Sequence, residues 1–139
     1  MTAERLVFDC NVLISAALVE TGTAAKALDA AYADHILLLS RPTFHELVTR
    51  LARPKFRRYV DEESQIAFLE ALWAAAEWVD IEGVPLGCRD ADDDKYLETA
   101  LLGEADSIVS GDRDLLDMKR FEGVSILTPA AWLARLANA

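Results

Sequence analysis

The strongest constraint on this chain comes from short apolar runs that end directly at carboxylate residues. Residues 6–8 (Leu-Val-Phe) are followed at once by Asp9, and the run Ile-Val-Ser-Gly at 108–111 is followed by Asp112. Such runs are typical of strands buried on both faces, and a lone charge beside a buried strand is costly. Both acids therefore require a partner.

Strand-like runs alternate with helix-like segments, which indicates an α/β domain with a mostly parallel sheet. We predict five strands, at residues 6–8, 36–39, 78–81, 107–110 and 124–127. Predicted helices cover 11–19, 23–33, 40–51, 61–76 and 92–102, and Thr128-Pro129 opens a terminal helix. The helical and strand patterns predict burial of Trp73, Trp78 and Trp132. We find no repeat or linker, and 139 residues suit a single domain spanning 1–139.

Composition places the chain among ordinary globular proteins, with 53% hydrophobic and 27% charged residues. Its apolar runs are too short to span a membrane, and its first residues lack the features of a signal peptide. Two cysteines, Cys10 and Cys88, do not make a disulfide framework and are expected to be free thiols. We therefore expect a cytoplasmic protein with no membrane association.

The charge distribution is uneven. The net charge of −10 argues against nucleic-acid binding, since phosphate contacts normally leave a basic footprint. Residues 41–60, however, carry six basic residues against one acid, a net charge of +5: Arg41, Arg50, Arg53, Lys55, Arg57 and Arg58. This basic segment is either a solvated helix end or a surface that contacts a phosphate backbone.

Three groups of acids are predicted at one edge of the sheet. Asp9 and Asp112 follow strands, and the run 92–94 opens the helix that leads into the fourth strand. Helix capping explains the run but not the other two acids. Carboxylates brought together repel one another, and Mg²⁺ or Mn²⁺ would remove the conflict. Such a centre activates water for phosphodiester cleavage.

Four spaced motifs resemble those of the PIN-domain ribonucleases: LVFDCNVLISAAL, SRPTFHELVTRL, CRDADDDKYLETAL and ADSIVSGDRDLL. They occur in the family's order and cover nearly the whole chain. The subgroup suggested contains toxin components of toxin–antitoxin pairs (VapBC-like). The resemblance implies a three-layer α/β/α sandwich about a five-stranded, mostly parallel sheet. It also implies a metal-dependent endonuclease with an RNA substrate and an antitoxin partner.

The resemblance assigns the acids residue by residue. The first family acid matches Asp9, the second Glu46 and the fourth Asp112. The third is Asp93 or Asp94, because each shares a helical stripe with apolar residues of the same helix. Asp9, Asp112 and one of this pair would bind one or two Mg²⁺ or Mn²⁺ ions, and Glu46 would complete the site. Attack by water would leave a 5′-phosphate and a 3′-hydroxyl.

Other polar residues have supporting roles under this hypothesis. Asn11 and Ser110 match positions that hydrogen-bond to the acids, and Asp114 is an accessory acid. Asp90 and Asp92 are interpreted as loop or cap residues. RNA contacts are assigned to the basic segment: Arg50, Arg53, Lys55, Arg57 and Arg58. The Ala-rich helices suggest a homodimer or a partner's docking helix, although a tightly packed monomer fits the same pattern.

Two alternatives remain open from the sequence. PIN folds also serve as non-catalytic binding modules, usually after losing acids, whereas all four acid positions are filled here. A haloacid-dehalogenase-type phosphatase also places an Asp after its first strand, but its usual second Asp corresponds here to Asn11. His35 and His45 lack metal-ligand spacing and are expected to have surface or packing roles.

Overall fold

A computed structural model describes residues 2–138. The strands in this part of the chain are β1 (Arg5–Phe8), β2 (Ile36–Leu39), β3 (Glu77–Trp78), β4 (Ser107–Val109), β5 (Arg120–Phe121) and β6 (Val124–Leu127). The helices are α1 (Cys10–Leu18), α2 (Thr23–Asp34), α3 (Arg41–Leu51), α4 (Pro54–Arg57), α5 (Glu62–Ala75), α6 (Asp94–Leu102), α7 (Arg113–Leu116) and α8 (Pro129–Ala137). A single 3₁₀ turn, Ala91–Asp93, precedes α6.

The strands form one sheet in the order β3-β2-β1-β4-β6-β5. The first five strands of that order are parallel, and β5 pairs antiparallel with β6. The prediction of a mostly parallel α/β sheet is confirmed, but the predicted number of five strands is wrong. The sixth strand, β5, has only two residues and joins β6 through Glu122-Gly123, both with positive φ, as in a type I′ hairpin turn.

Helices cover both faces of the sheet. Phe8 meets the ring of Trp132 on α8 edge-on, at 6.2 Å between ring centroids. Leu38, whose side chain points to the opposite face, lies close to Gly103 at the end of α6. The α8 and α6 helices therefore pack on opposite faces, and the domain has the predicted three-layer α/β/α architecture.

The strand order reverses between β1 and β4. From β1 the chain adds β2 and β3 on one side, then crosses back to place β4 on the other side. Phe8 is in register with Val109, and the backbone N–H of Asp9 donates to the carbonyl of Val109 at 3.0 Å. In open α/β sheets this reversal leaves a crevice at the carboxyl ends of the strands, which is the usual ligand site. Asp9 and Ser110 stand at that crevice.

Packing confirms one tryptophan prediction and contradicts another. Trp132 is fully buried, whereas Trp73 on α5 is 56% exposed, so its predicted burial is wrong. Trp78 is half-buried. Trp73 packs against Trp78 of β3, and β3 is an edge strand of the sheet formed by the described residues. Helical spacing of apolar residues identified the helix correctly but could not show how much of its apolar face would be covered.

Cys10 and Cys88 are free, as expected. Within residues 2–138 we find no helix of the length and apolarity needed to cross a bilayer.

Candidate active site

Asp9 is the most deeply buried acid of the candidate site, with only 3% of its surface exposed. It caps α1, accepting from the backbone N–H of Val12 at 2.9 Å. Its second oxygen accepts from the hydroxyl of Ser110 and from the backbone N–H of Gly111 at 3.3 Å. Burial raises the pKa of Asp9, and these three hydrogen bonds oppose the rise. The fold thus fixes this carboxylate while solvating it incompletely.

Ser110 joins the two strand-end acids. Its fully buried hydroxyl donates to Asp9 and accepts from the backbone N–H of Asp112 at 2.9 Å. Asp112 in turn caps α7, where it accepts from the backbone N–H of Asp114 at 2.8 Å. These contacts are the ones that the predicted supporting role of Ser110 requires, and that role stays a prediction.

Asp93 faces these two acids from the 3₁₀ turn before α6. Its Oδ2 atom is buried and receives no hydrogen bond from any described residue. Burial, contact with Asp112 and the charges of Asp112, Asp90 and Asp9 raise the pKa of Asp93 from 3.8 to about 8. A carboxylate held in this way needs either a proton or a cation.

Asp94, the other candidate for the third acid, faces away from the cluster. It is 7% exposed and accepts from the backbone N–H of Cys88 at 2.9 Å, which ties the preceding loop to the start of α6. The pocket lining includes Asp93 and not Asp94. Helical stripes could not separate the two neighbours, because the 3₁₀ turn ends between them and changes the direction in which each side chain points.

Glu46 reaches the pocket from α3. It accepts from the hydroxyl of Tyr96 and lies 3.6 Å from the Lys95 ammonium. Burial above all raises the pKa of Tyr96, so the hydroxyl keeps its proton and remains a donor. The sequence pattern does not distinguish Tyr96 from other residues of its helix. Its position two residues after Asp94, on the same helix as Lys95, was the available signal.

The acids line a pocket of about 190 Å³ at the crevice between β1 and β4. Its lining is Asp9, Cys10, Asn11, Glu46, Arg50, Asp90, Asp92, Asp93, Tyr96 and Asp112. Asp90 caps the 3₁₀ turn, as interpreted, but also belongs to the pocket. Carboxylate oxygens of Asp90, Asp93 and Asp114 lie within 4.8 Å of one another. Asp114 also pairs with Arg89 at 3.0 Å.

The basic segment is divided by the fold. Arg50 lies in the pocket, where it donates to the side chain of Asn11 at 2.7 Å. Arg57 is drawn to α5, with bonds to Glu62 at 3.0 Å and Gln65 at 3.2 Å. Arg53, Lys55 and Arg58 are exposed on and around α4, outside the pocket lining. Only Arg50 of the proposed RNA contacts therefore adjoins the acids.

The donor set suits a hard divalent cation. Asp9, Asp93 and Asp112 line the same pocket, and among residues 2–138 no lysine or arginine forms an ion pair with any of them. Carboxylate oxygens are the ligands that Mg²⁺ and Mn²⁺ prefer, and such ions need only a few protein ligands. The partnerless oxygen of Asp93 is the feature that a bound cation would satisfy.

The sequence profile of the PIN domain matches residues 5–114, which carry every acid of this pocket. The chain belongs to the PIN-domain family. The resemblance read from the four motifs is confirmed, and the match separates this PIN domain from the haloacid dehalogenases. The chain is 28% identical over 117 residues to the uncharacterized protein MJ1680 of Methanocaldococcus jannaschii. The aligned region covers 83% of this chain and 75% of that protein.

Solved structures share the fold of this PIN domain. VapBC2 from Rickettsia felis, bound to a DNA fragment from its promoter, aligns with a TM-score of 0.59 and 14% identity over 88% of this chain and 96% of that one. PAE2754 from Pyrobaculum aerophilum aligns with a TM-score of 0.60 and 19% identity, over 99% of this chain and 91% of that one. The T. brucei RRP44 PIN domain aligns with a TM-score of 0.54 and 15% identity, over 98% of this chain and 82% of that one. At these identities the likeness concerns the fold.

Proposed function

We propose that this PIN domain is a metal-dependent endoribonuclease. The observation that carries the proposal is the half-buried carboxylate of Asp93, whose partnerless oxygen lies in one pocket with Asp9 and Asp112. These three residues would hold one or two Mg²⁺ or Mn²⁺ ions, with Asp93 rather than Asp94 as the third acid. When bound, the ion would supply Lewis-acid activation of water and of the scissile phosphodiester.

Other residues of the chain would position the acids, the attacking water and the substrate phosphate. Ser110 holds Asp9 and the backbone of Asp112 at a set separation, while Tyr96 and Lys95 orient Glu46. Glu46 would then accept hydrogen bonds from the attacking water. Arg50, oriented through Asn11, lies where a phosphate of the substrate would enter the acidic pocket.

The biological setting we propose is that of a toxin paired with an antitoxin protein, with self-association as a homodimer. Structural likeness to VapBC2 supports the antitoxin partner. Co-expression with a candidate antitoxin encoded by an adjacent gene, followed by co-purification, tests the pairing. Sedimentation of the isolated chain tests the dimer.

The activity is tested by cleavage of a mixed RNA pool with Mn²⁺, comparing wild type with Asp9→Asn and with Asp34→Asn. Asp34 is an exposed acid at the end of α2, outside the pocket, so Asp34→Asn is the matched control. We expect wild type and Asp34→Asn to cut and leave 5′-phosphate ends, and Asp9→Asn to be inactive. Products with 2′,3′-cyclic phosphates would contradict the mechanism.

Metal binding is measured separately, by calorimetric titration with Mn²⁺. We expect Asp93→Asn to weaken Mn²⁺ binding at least tenfold and Asp94→Asn to change it little, because Asp93 lines the pocket and Asp94 does not. A wild type that binds no Mn²⁺ and cuts no RNA would favour a non-catalytic binding module.

A further inference from the structure

A second pocket lies on the opposite flank of α3 from the acids and has a different chemistry. It has a volume of about 300 Å³ and is lined by Arg41, Phe44, His45, Val48, Trp73 and Trp78. Positions 41, 44, 45 and 48 share one face of α3, whereas Glu46 and Arg50 project from the opposite face. The helix therefore separates the two pockets by roughly its own diameter, about 10 Å.

Three aromatic rings form a rigid group at the base of this second pocket. The ring centroids of Trp73 and Trp78 are 4.6 Å apart, and Phe44 meets them edge-on at 5.4 and 5.6 Å. The indole N–H of Trp78 also donates to the backbone carbonyl of Trp73 at 3.3 Å. Trp73 nevertheless leaves 56% of its surface exposed. A large ring that is held in place and yet exposed is suited to stacking against a planar ligand.

The charge at this pocket favours an anionic ligand. Its lining contains one guanidinium, that of Arg41, beside the imidazole of His45, and among residues 2–138 no carboxylate lines it, in a chain whose net charge is −10. Arg41 begins α3 directly after β2, and Trp78 ends β3 in register with Leu39. Both residues thus lie at the carboxyl edge of the sheet, the same edge that carries the acidic pocket.

We infer that this aromatic pocket is a subsite for one base of a single-stranded RNA, stacked on Trp73, with the adjoining phosphate near Arg41 and His45. The inference rests on the proposed ribonuclease function and names a second contact with its substrate. Aromatic stacking beside cationic groups is the usual means of binding single strands without reading their sequence. A strand bound in this pocket would cross α3 and reach the acids within a few nucleotides.

The test measures binding of a fluorescein-labelled, unstructured RNA of about 12 nucleotides by fluorescence anisotropy. A chelator is present so that no cleavage occurs. We expect Trp73→Ala to raise the Kd about 5- to 150-fold and Trp73→Phe to recover most of the loss, since one stacked base contributes about 1–3 kcal/mol. Tyr59→Ala is the matched control, because Tyr59 is an aromatic residue that is 74% exposed beside a different groove. Its Kd should equal that of wild type.

Arg41→Ala provides a second measurement that does not depend on the aromatic group. We expect the slope of log affinity against log salt concentration to fall by about 0.7, the value for one phosphate contact on a single strand. Melting temperatures of all variants identify any that fail to fold.

Several results would overturn the inference. An unchanged Kd for Trp73→Ala, or a wild type that does not bind the RNA, would refute the subsite. A shift from dimer to monomer in Trp73→Ala with unchanged RNA binding would assign the aromatic face to self-association instead. RNA binding that depends on Trp73 in a protein that cuts no RNA would refute the nuclease and leave the subsite standing. Cleavage with RNA binding that is insensitive to Trp73 would do the reverse.

Discussion

Ser110 donates its hydroxyl hydrogen to Asp9 across the join between β4 and β1, although 101 residues separate them in the chain. The same oxygen accepts from the backbone of Asp112. One buried hydroxyl therefore sets the spacing of the two strand-end carboxylates. The contact with Asp9 exists because β1 and β4 are neighbours in the sheet, whereas the contact with Asp112 is local, between residues two apart in the chain.

Ser110→Ala should weaken Mn²⁺ binding about tenfold, in the range found when a residue that orients metal ligands is removed. Loss of the hydrogen bond should also lower the free energy of unfolding by about 1 kcal/mol. Calorimetric titration and chemical denaturation measure the two effects. Ser125→Ala, a change in β6 away from the acids, serves as control. Equal Mn²⁺ affinity in Ser110→Ala and wild type would show that Ser110 has no part in positioning the acids.

Tyr96→Phe should reduce the rate of RNA cleavage about tenfold while changing Mn²⁺ affinity little. The variant removes the only hydroxyl donor to Glu46 recorded among residues 2–138 and leaves the aromatic ring in place. Tyr32→Phe is a matched control, since the buried Tyr32 hydroxyl forms no hydrogen bond with any residue of 2–138. Steady-state kinetics with a defined RNA measure the effect. If both variants cut at the same rate as wild type, the role of Tyr96 is structural only.

Stability in chelator should depend on pH through Asp93. Its folded-state pKa of about 8 lies above the ordinary 3.8, so the folded protein binds this proton more tightly than the unfolded chain does. The free energy of unfolding should therefore fall as pH rises from about 4 to about 8 and then level off. Asp93→Asn should remove this loss and be about 1 kcal/mol more stable above pH 8, after allowance for solvent screening at a half-buried group.

Urea denaturation at several pH values, with and without saturating Mn²⁺, measures this dependence. Bound metal should stabilise wild type more than Asp93→Asn, because a weaker metal complex adds less to the free energy of unfolding. Parallel stability curves for the two proteins across the whole pH range would contradict the prediction.

Glu98→Gln should destabilise the loop that leads to the acidic pocket. The buried carboxylate of Glu98 accepts from three consecutive backbone N–H groups, those of Glu82 at 2.8 Å, Gly83 at 2.9 Å and Val84 at 3.2 Å. Glutamine would turn an N–H₂ group toward some of these donors, at a cost of about 2 kcal/mol. Hydrogen exchange should show faster amide exchange at 82–84, with Glu104→Gln, an exposed acid, as control. Unchanged exchange would mean that the loop does not depend on Glu98.

The fold was largely predictable from local sequence. The runs at 6–8 and 36–39 matched their strands to within a residue, and Thr128-Pro129 marked the start of α8 correctly. The misses have physical causes. Strand β5 is too short to show a period, and the exposure of Trp73 depends on β3 being the edge strand, which is a property of sheet order.

The candidate site was predictable as a set of residues but not as a geometry. Sequence patterns brought Asp9 and Asp112 to one edge, because carboxyl ends of parallel strands meet there. They could not separate Asp93 from Asp94, since Leu97 lies four residues after one and three residues after the other, so each shares a helical stripe with it. They also gave no indication of the role of Tyr96, because its contact with Glu46 joins residues 50 positions apart in the chain.

The sequence by itself determined the periodicity of the strands and helices, the family, and which acids follow which strands, because these properties depend on residues close together in the chain. Tertiary structure decided which carboxylate turns inward, which arginine reaches the pocket and which tryptophan remains exposed. Each of those outcomes depends on the packing of elements far apart in the chain, where a 3₁₀ turn or the order of strands redirects a side chain that local pattern leaves free.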